Sequence, residues 1–143
     1  MGGSLAQRIA PIIGAFYVLI GIVGFVVTGF GDFVQNTPDE LLGASINPFH
    51  NVVHFAIGAF LIVMCLGGSA PVAEGAVMGV GLFYIVAFVI GVVAPDNLTI
   101  ISMTGAGDLE NFNHLVNGVL LLLVGIASSV GTDSKSKRTG IPA

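Results

Sequence analysis

The chain reads as an all-α, polytopic membrane protein: a four-helix bundle built from two tandem helical hairpins. Three observations predict this. Apolar residues make up 55% of the 143 positions and charged residues only 8%, against about 25% charged in soluble domains. Four stretches are long and apolar enough to cross a bilayer core, which takes about 20 residues of helix. The first two stretches also share a pattern with the last two. Four Lys/Arg and eight Asp/Glu cannot coat a globular surface in water. A cytosolic enzyme, a disordered chain and a nucleic-acid binder, which needs a basic face, are therefore excluded.

The spans fall at about 9–30, 47–66, 72–94 and 109–130, within a single transmembrane domain covering 1–143. The first has no internal charge and follows Arg8. It is long for the apolar core of a signal peptide and lacks a small-residue cleavage site, so it is expected to be retained. The second opens with Asn47-Pro48, a helix-start signal that places Asn at the N-cap and Pro at N1. The third carries one charge, Glu74, expected in its first turn where the helix dipole favours an anion. The fourth opens at Asp108, a good N-cap residue. A polar, basic tail, expected to be mobile, follows at 131–143. Arg8, Lys135, Lys137 and Arg138 lie at the two chain ends. The positive-inside rule then makes both termini cytoplasmic, in the cell (inner) membrane.

Between the spans, Thr37-Pro38-Asp39-Glu40 has the form of a capping box, which predicts a short helix over 38–42. Residues 98–103 are apolar and β-prone and are expected to rest on the membrane or a partner. Residues 104–107 read as a flexible link and lack the Lys of a phosphate-binding loop. Cys65 is the single cysteine and reads as a small packing residue.

The internal repeat pairs Gly14-Ala-Phe-Tyr with Gly81-Leu-Phe-Tyr, and Gly24 with Gly91 at the same offset. A second common offset pairs Asn51, His54 and Gly58 with Asn111, His114 and Gly118. A duplicated hairpin folds into a pseudo-two-fold bundle, in which spans two and four are expected to face each other near the axis.

The polar residues of these two spans are not scattered. Asn47, His50, Asn51, His54 and Gly58 follow helical spacing and share one face. So do Glu110, Asn113, His114, Asn117 and Gly118, with Asn111 beside them. At 1.5 Å per residue, His54 and His114 each lie roughly 10 Å below their helix starts. Polar groups cannot point at lipid cheaply, so both stripes must face the interior or an outward-open cavity.

Three readings of this cluster stay open. In the first, Asn47, Asn51, Asn111, Asn113, Asn117 and the histidines fix helix register by interhelical hydrogen bonds. In the second, His50, His54, His114 and Glu110 bind a transition metal. In the third, His54 and His114 hold haem b between facing helices, although no Lys or Arg is at hand for its propionates. A proton path through Glu74 lacks a chain of ionisable residues to His54.

The pattern Asn47-Pro48-x-His50-Asn51-x-x-His54-x-x-x-Gly58, with the later Asn111-x-x-His114-x-x-x-Gly118, resembles a bacterial family of small four-span membrane proteins described as a domain of unknown function. The resemblance spans nearly the whole chain. It implies the four-span fold and the importance of the histidine face, and no activity. The sequence favours a non-enzymatic role, as an accessory or structural subunit of a larger membrane complex, with lipid and other membrane subunits as partners. No cofactor is favoured; haem or a transition metal is the alternative.

Overall fold

In the computed structural model of the chain, residues 3–103 and 105–140 are described; Thr104, at the head of the expected flexible link, and residues 141–143 of the tail lie outside them. Four long helices carry the architecture: α1 (Leu5–Thr28), α2 (Pro48–Gly67), α3 (Ala70–Val93) and α4 (Leu109–Thr139). Each is long and apolar enough to cross a membrane. Their burial is inverted relative to a soluble bundle. Ile12, Val26, Val63, Leu66 and Leu123 are well exposed, whereas Asn47, His50, Asn51, Glu74, Glu110, Asn111, His114 and Ser128 are buried. Only lipid solvates such a surface cheaply, so this is a membrane protein.

The helix starts follow local chemistry. Ser4 caps α1 by accepting from Gln7 N at 3.3 Å, and Gln7 returns the bond by accepting from Ser4 N at 2.9 Å, a reciprocal box. Asn47 caps α2 by accepting from His50 N at 2.8 Å, with Pro48 at N1. At the start of α4, the Asp108 carboxylate accepts from Gly105 N at 3.0 Å.

Each consecutive pair of helices packs as a close hairpin, and equivalent contacts recur in both. In the first, a Cβ placed on Gly14 would stand 2.7 Å from Gly58 O. In the second, a Cβ on Gly81 would stand 3.0 Å from Gly118 O. Gly24 is pressed against the Asn51 side chain, and Gly91 against that of Asn111. Small residues let backbones approach, which in lipid supplies the packing attraction that hydrophobicity cannot. A core of Ala6, Ala10, Tyr17, Leu61, Cys65, Val77, Tyr84 and Leu121 fills the centre.

Several features depart from expectation. Helices α2 and α4 occupy the long diagonal: among the described residues, no Cα of one comes within 8 Å of the other. Helices α1 and α3 occupy the short diagonal, with the rings of Tyr17 and Tyr84 5.7 Å apart. Their close-packed glycines face α2 and α4 within the hairpins, and the polar side chains of α2 and α4 bridge the wider gap.

The expected helix over 38–42 is instead a small hairpin, β1 (Glu40–Leu41) paired antiparallel with β2 (Ala44–Ser45). Leu42 and Gly43 both take positive φ, 56° and 81°, as a two-residue I′ turn requires. Thr37 Oγ1 donates to Ile46 O at 2.8 Å rather than capping a helix. Five residues cannot repay the cost of helix nucleation. The β-prone loop forms a 3₁₀ helix, Pro95–Ile101, ending at Ser102 with φ 67°. Helix α4 continues through 131–139, where composition read as a tail. Glu74 lies beyond the first turn of α3. It is buried, and its Oε1 accepts from Ser128 Oγ at 2.9 Å and Thr132 Oγ1 at 2.7 Å.

Candidate functional site

The first turns of α2 and α4 place their polar side chains at the end of the bundle away from the chain termini. Asn47 anchors this end. Besides capping α2, its Nδ2 donates to Gln35 O and Ile100 O, both at 2.9 Å, which fastens both connecting loops to one residue.

One and two turns below, three imidazoles converge on one carboxylate oxygen. Glu110 Oε1 stands 3.5 Å from His50 Nε2, 3.9 Å from His54 Nε2 and 3.4 Å from His114 Nε2. All four residues are buried. His50 and His54, one turn apart on α2, stack at 4.6 Å. His50, His54 and Glu110 offer ligand atoms all within 4.8 Å of one another. The Nδ1 atoms of all three histidines have no hydrogen-bond partner among the described residues.

The other carboxylate oxygen is held from α4 itself. Asn113 Nδ2 donates to Glu110 Oε2 at 3.2 Å. Asn117 Nδ2 donates to Asn113 O at 2.8 Å, and Tyr17 OH donates to Asn117 Oδ1 at 2.8 Å. This chain runs from α1 along α4 and leaves Oε1 facing the histidines.

Not every residue of the two stripes joins the cluster. Asn51 Nδ2 donates to Thr28 Oγ1 at 2.9 Å, locking α2 to α1. Asn111 Nδ2 donates to Gly105 O at 3.0 Å, tying α4 to its preceding loop. The sequence reading missed two residues that do join: the ring of Tyr17 lies 5.7 Å from that of His54, and that of Tyr84 lies 5.4 Å from that of His114. The signal was the Phe-Tyr pair shared by the two copies of the repeat, which places both tyrosines at equivalent positions.

Two cavities flank the cluster. One, of about 240 Å³, lies between α1 and α4 under the β hairpin, and Glu110, Asn113 and Asn117 are in its wall. The other, of about 350 Å³, lies between α2 and α3, and is almost wholly apolar up to the histidines. A buried set of three imidazole nitrogens and one carboxylate oxygen is a borderline donor set, suited to zinc, copper, nickel or iron.

Residues 7–127 match the family described as a domain of unknown function (DUF4383). The match covers most of the chain, and the chain belongs to this family. No curated protein and no solved structure matches it.

Proposed function

We propose that this member of the DUF4383 family is a small membrane protein that binds a divalent transition-metal ion through His50, His54, His114 and Glu110. One observation carries the reading: three Nε2 atoms lie within 3.4–3.9 Å of a single carboxylate oxygen. Metal–ligand bonds of about 2.0–2.1 Å place tetrahedral donors about 3.3–3.4 Å apart. His50, His54 and Glu110 already offer ligand atoms within 4.8 Å of one another, and His114, held 3.4 Å from the same carboxylate oxygen, would swing inward to complete the set around an ion. The electrostatics agree, since a buried carboxylate is costly unless a positive charge offsets it. A bare ion suits the site better than haem. The Glu110 oxygen stands between His54 and His114, where a porphyrin would have to lie.

In this reading both termini are cytoplasmic, following Arg8, Lys135, Lys137 and Arg138, and the metal site opens on the other face of the cell membrane. The test is metal analysis of protein purified in mild detergent and incubated with Zn²⁺ or Co²⁺. One ion per chain is expected, with a tetrahedral Co²⁺ spectrum. It should be lost in His54→Ala, His114→Ala and Glu110→Ala while helicity persists. Wild-type protein that stays metal-free, or variants that bind as well as wild type, would refute the reading. A Soret band would turn it toward haem.

A second reading, as an accessory subunit of a larger complex, rests on another surface. Gly75 and Gly79 of α3 have nothing within 4 Å of where a Cβ would stand. They line an open apolar groove with Ile57, Phe60 and Phe83, a geometry that suits close approach of another transmembrane helix. Co-purification of a membrane partner, lost in Gly75→Leu and Gly79→Leu, is expected; a monodisperse lone chain in mild detergent would count against it.

A further inference from the structure

The two halves of the chain build the same cavity twice and line it differently. Phe16, Tyr17 and His54 in the wall of the α1/α4 cavity pair, through the repeat, with Phe83, Tyr84 and His114 in the wall of the α2/α3 cavity. The polarity of the two walls diverges at equivalent helix positions. Where α4 presents Asn113 and Asn117, α2 has Val53 and Ile57. The α1/α4 cavity is thus water-compatible. Its counterpart, with Ala87, Ile90, Leu98 and Ile101 in its wall, is not.

At about 350 Å³, the apolar cavity lies within the size range of small-molecule pockets, roughly 300–1,000 Å³. Phe83 and Val86 on its wall are about half exposed, at 51% and 48%. Its mouth therefore opens sideways, toward the bilayer. No Lys, Arg, Asp or Glu lines it, so a charged headgroup would find no counter-charge there.

The inner wall offers unused hydrogen-bonding capacity. Tyr17 donates its hydroxyl to Asn117. Its counterpart Tyr84 has Ile57 at the place of that Asn, and the Tyr84 hydroxyl, although beside that of Tyr17, meets no hydrogen-bond geometry among the described residues. Tyr84 is only 2% exposed. His50, His54 and His114 line the same cavity, and their Nδ1 atoms are also unpartnered among the described residues. Such groups are rarely left unpaired in a folded interior.

We propose that this cavity binds a membrane-borne quinone, a flat ring bearing carbonyl oxygens on an apolar tail. The ring fits between aromatic walls at Phe49, Phe83 and Tyr84. A carbonyl accepts from the Tyr84 hydroxyl or from an imidazole N–H. The tail leaves past Val86 into lipid. A plain acyl chain would fill the same space but leave the hydroxyl unmet. The proposal stands independently of metal binding.

The chain supplies its own reporter, because it has two tyrosines and no tryptophan. In Tyr17→Phe, emission comes from Tyr84 alone. Menadione titrated into this variant in lipid vesicles is expected to quench that emission saturably, at one molecule per chain. Ala87→Phe fills the cavity and should abolish saturation. Ile20→Phe, at the equivalent position of the polar cavity, should preserve it. Val53→Asn gives a second, less bulky block if Ala87→Phe misfolds. By calorimetry, Tyr84→Phe in the wild-type background should weaken binding roughly three- to tenfold, the worth of one neutral hydrogen bond. Quenching that rises linearly without saturating, or that ignores both Ala87→Phe and Val53→Asn, would overturn the proposal. So would displacement by dodecanol as effective as by a second quinone, which would mark a site for lipid chains.

Discussion

Gly58→Ala should separate the first hairpin. A Cβ at this position would stand 2.7 Å from Val18 N and 2.9 Å from Val18 Cγ2, and closer still to Gly14 O. Ordinary contact begins near 3.4 Å, and two of these atoms are backbone, which no rotamer change can move. Helices α1 and α2 must part by about 1 Å or slide. Forced overpacking of this kind costs about 1–3 kcal/mol. The better helix propensity of Ala returns about 1 kcal/mol, so the net loss is up to about 2 kcal/mol. Gly75→Ala is the matched control, because nothing lies within 4 Å of its Cβ position; it should be neutral or slightly stabilising. Gly118→Ala, the equivalent substitution in the second hairpin, meets first the end of the Ile85 side chain, at 2.8 Å. A side chain can yield, so its loss should be smaller than that of Gly58→Ala. The assay is SDS-induced unfolding in mixed micelles, followed by circular dichroism. Equal stability of Gly58→Ala and Gly75→Ala, or a larger loss in Gly118→Ala, would refute the packing argument. Because His54 lies one turn from Gly58, the separation should also weaken Co²⁺ binding.

Three further outcomes are expected. Asn113→Val, which installs the residue found at the equivalent place on α2, removes the hydrogen bond to Glu110 Oε2. It should lower metal affinity about 10–100-fold, the usual effect of losing an outer-shell partner, at unchanged helicity; titration with Zn²⁺ showing wild-type affinity would argue against a positioning role. Leu42→Asn should raise stability by up to about 1 kcal/mol, because Leu42 is 80% exposed at φ 56° and Asn-Gly suits an I′ turn; destabilisation in the same SDS assay would reveal a contact made by Leu42. Glu74→Ala should cost about 2–4 kcal/mol, since the hydroxyls of Ser128 and Thr132 lose a shared acceptor and unmet buried groups cost about 1–3 kcal/mol each. Glu74→Gln keeps an acceptor oxygen and should cost much less; equal losses in the two variants would point to charge rather than hydrogen bonding.

Composition and periodicity were enough for the membrane setting, the four helices and the polar faces of α2 and α4. These are local consequences of the sequence. A helix too apolar for water must sit in lipid, and its few polar residues must then turn inward wherever its neighbours lie. The start of α2 was equally legible, because an Asn-Pro cap depends on nothing beyond the first turn. The equivalence of His54 and His114 could be read from the repeat.

Tertiary structure decided which groups meet. Tyr17 and Tyr84 were visible in the repeat but looked like core residues; only the short α1–α3 diagonal brings them against the histidines. Spacing placed Glu110 on the same face as His114, but not within reach of His50 and His54 across the long diagonal. That depends on the width of the gap, which the glycines of the two hairpins set. Asn51 and Asn111 share the polar stripes yet turn toward Gly24 and Gly91, because space opens only where a neighbouring helix lacks a Cβ. Hydrogen bonds distant in sequence separate Leu42 from its expected helix. A capping pattern states a local preference, and in so short a segment the bonds from Thr37 to Ile46 and Ser102 outweigh it.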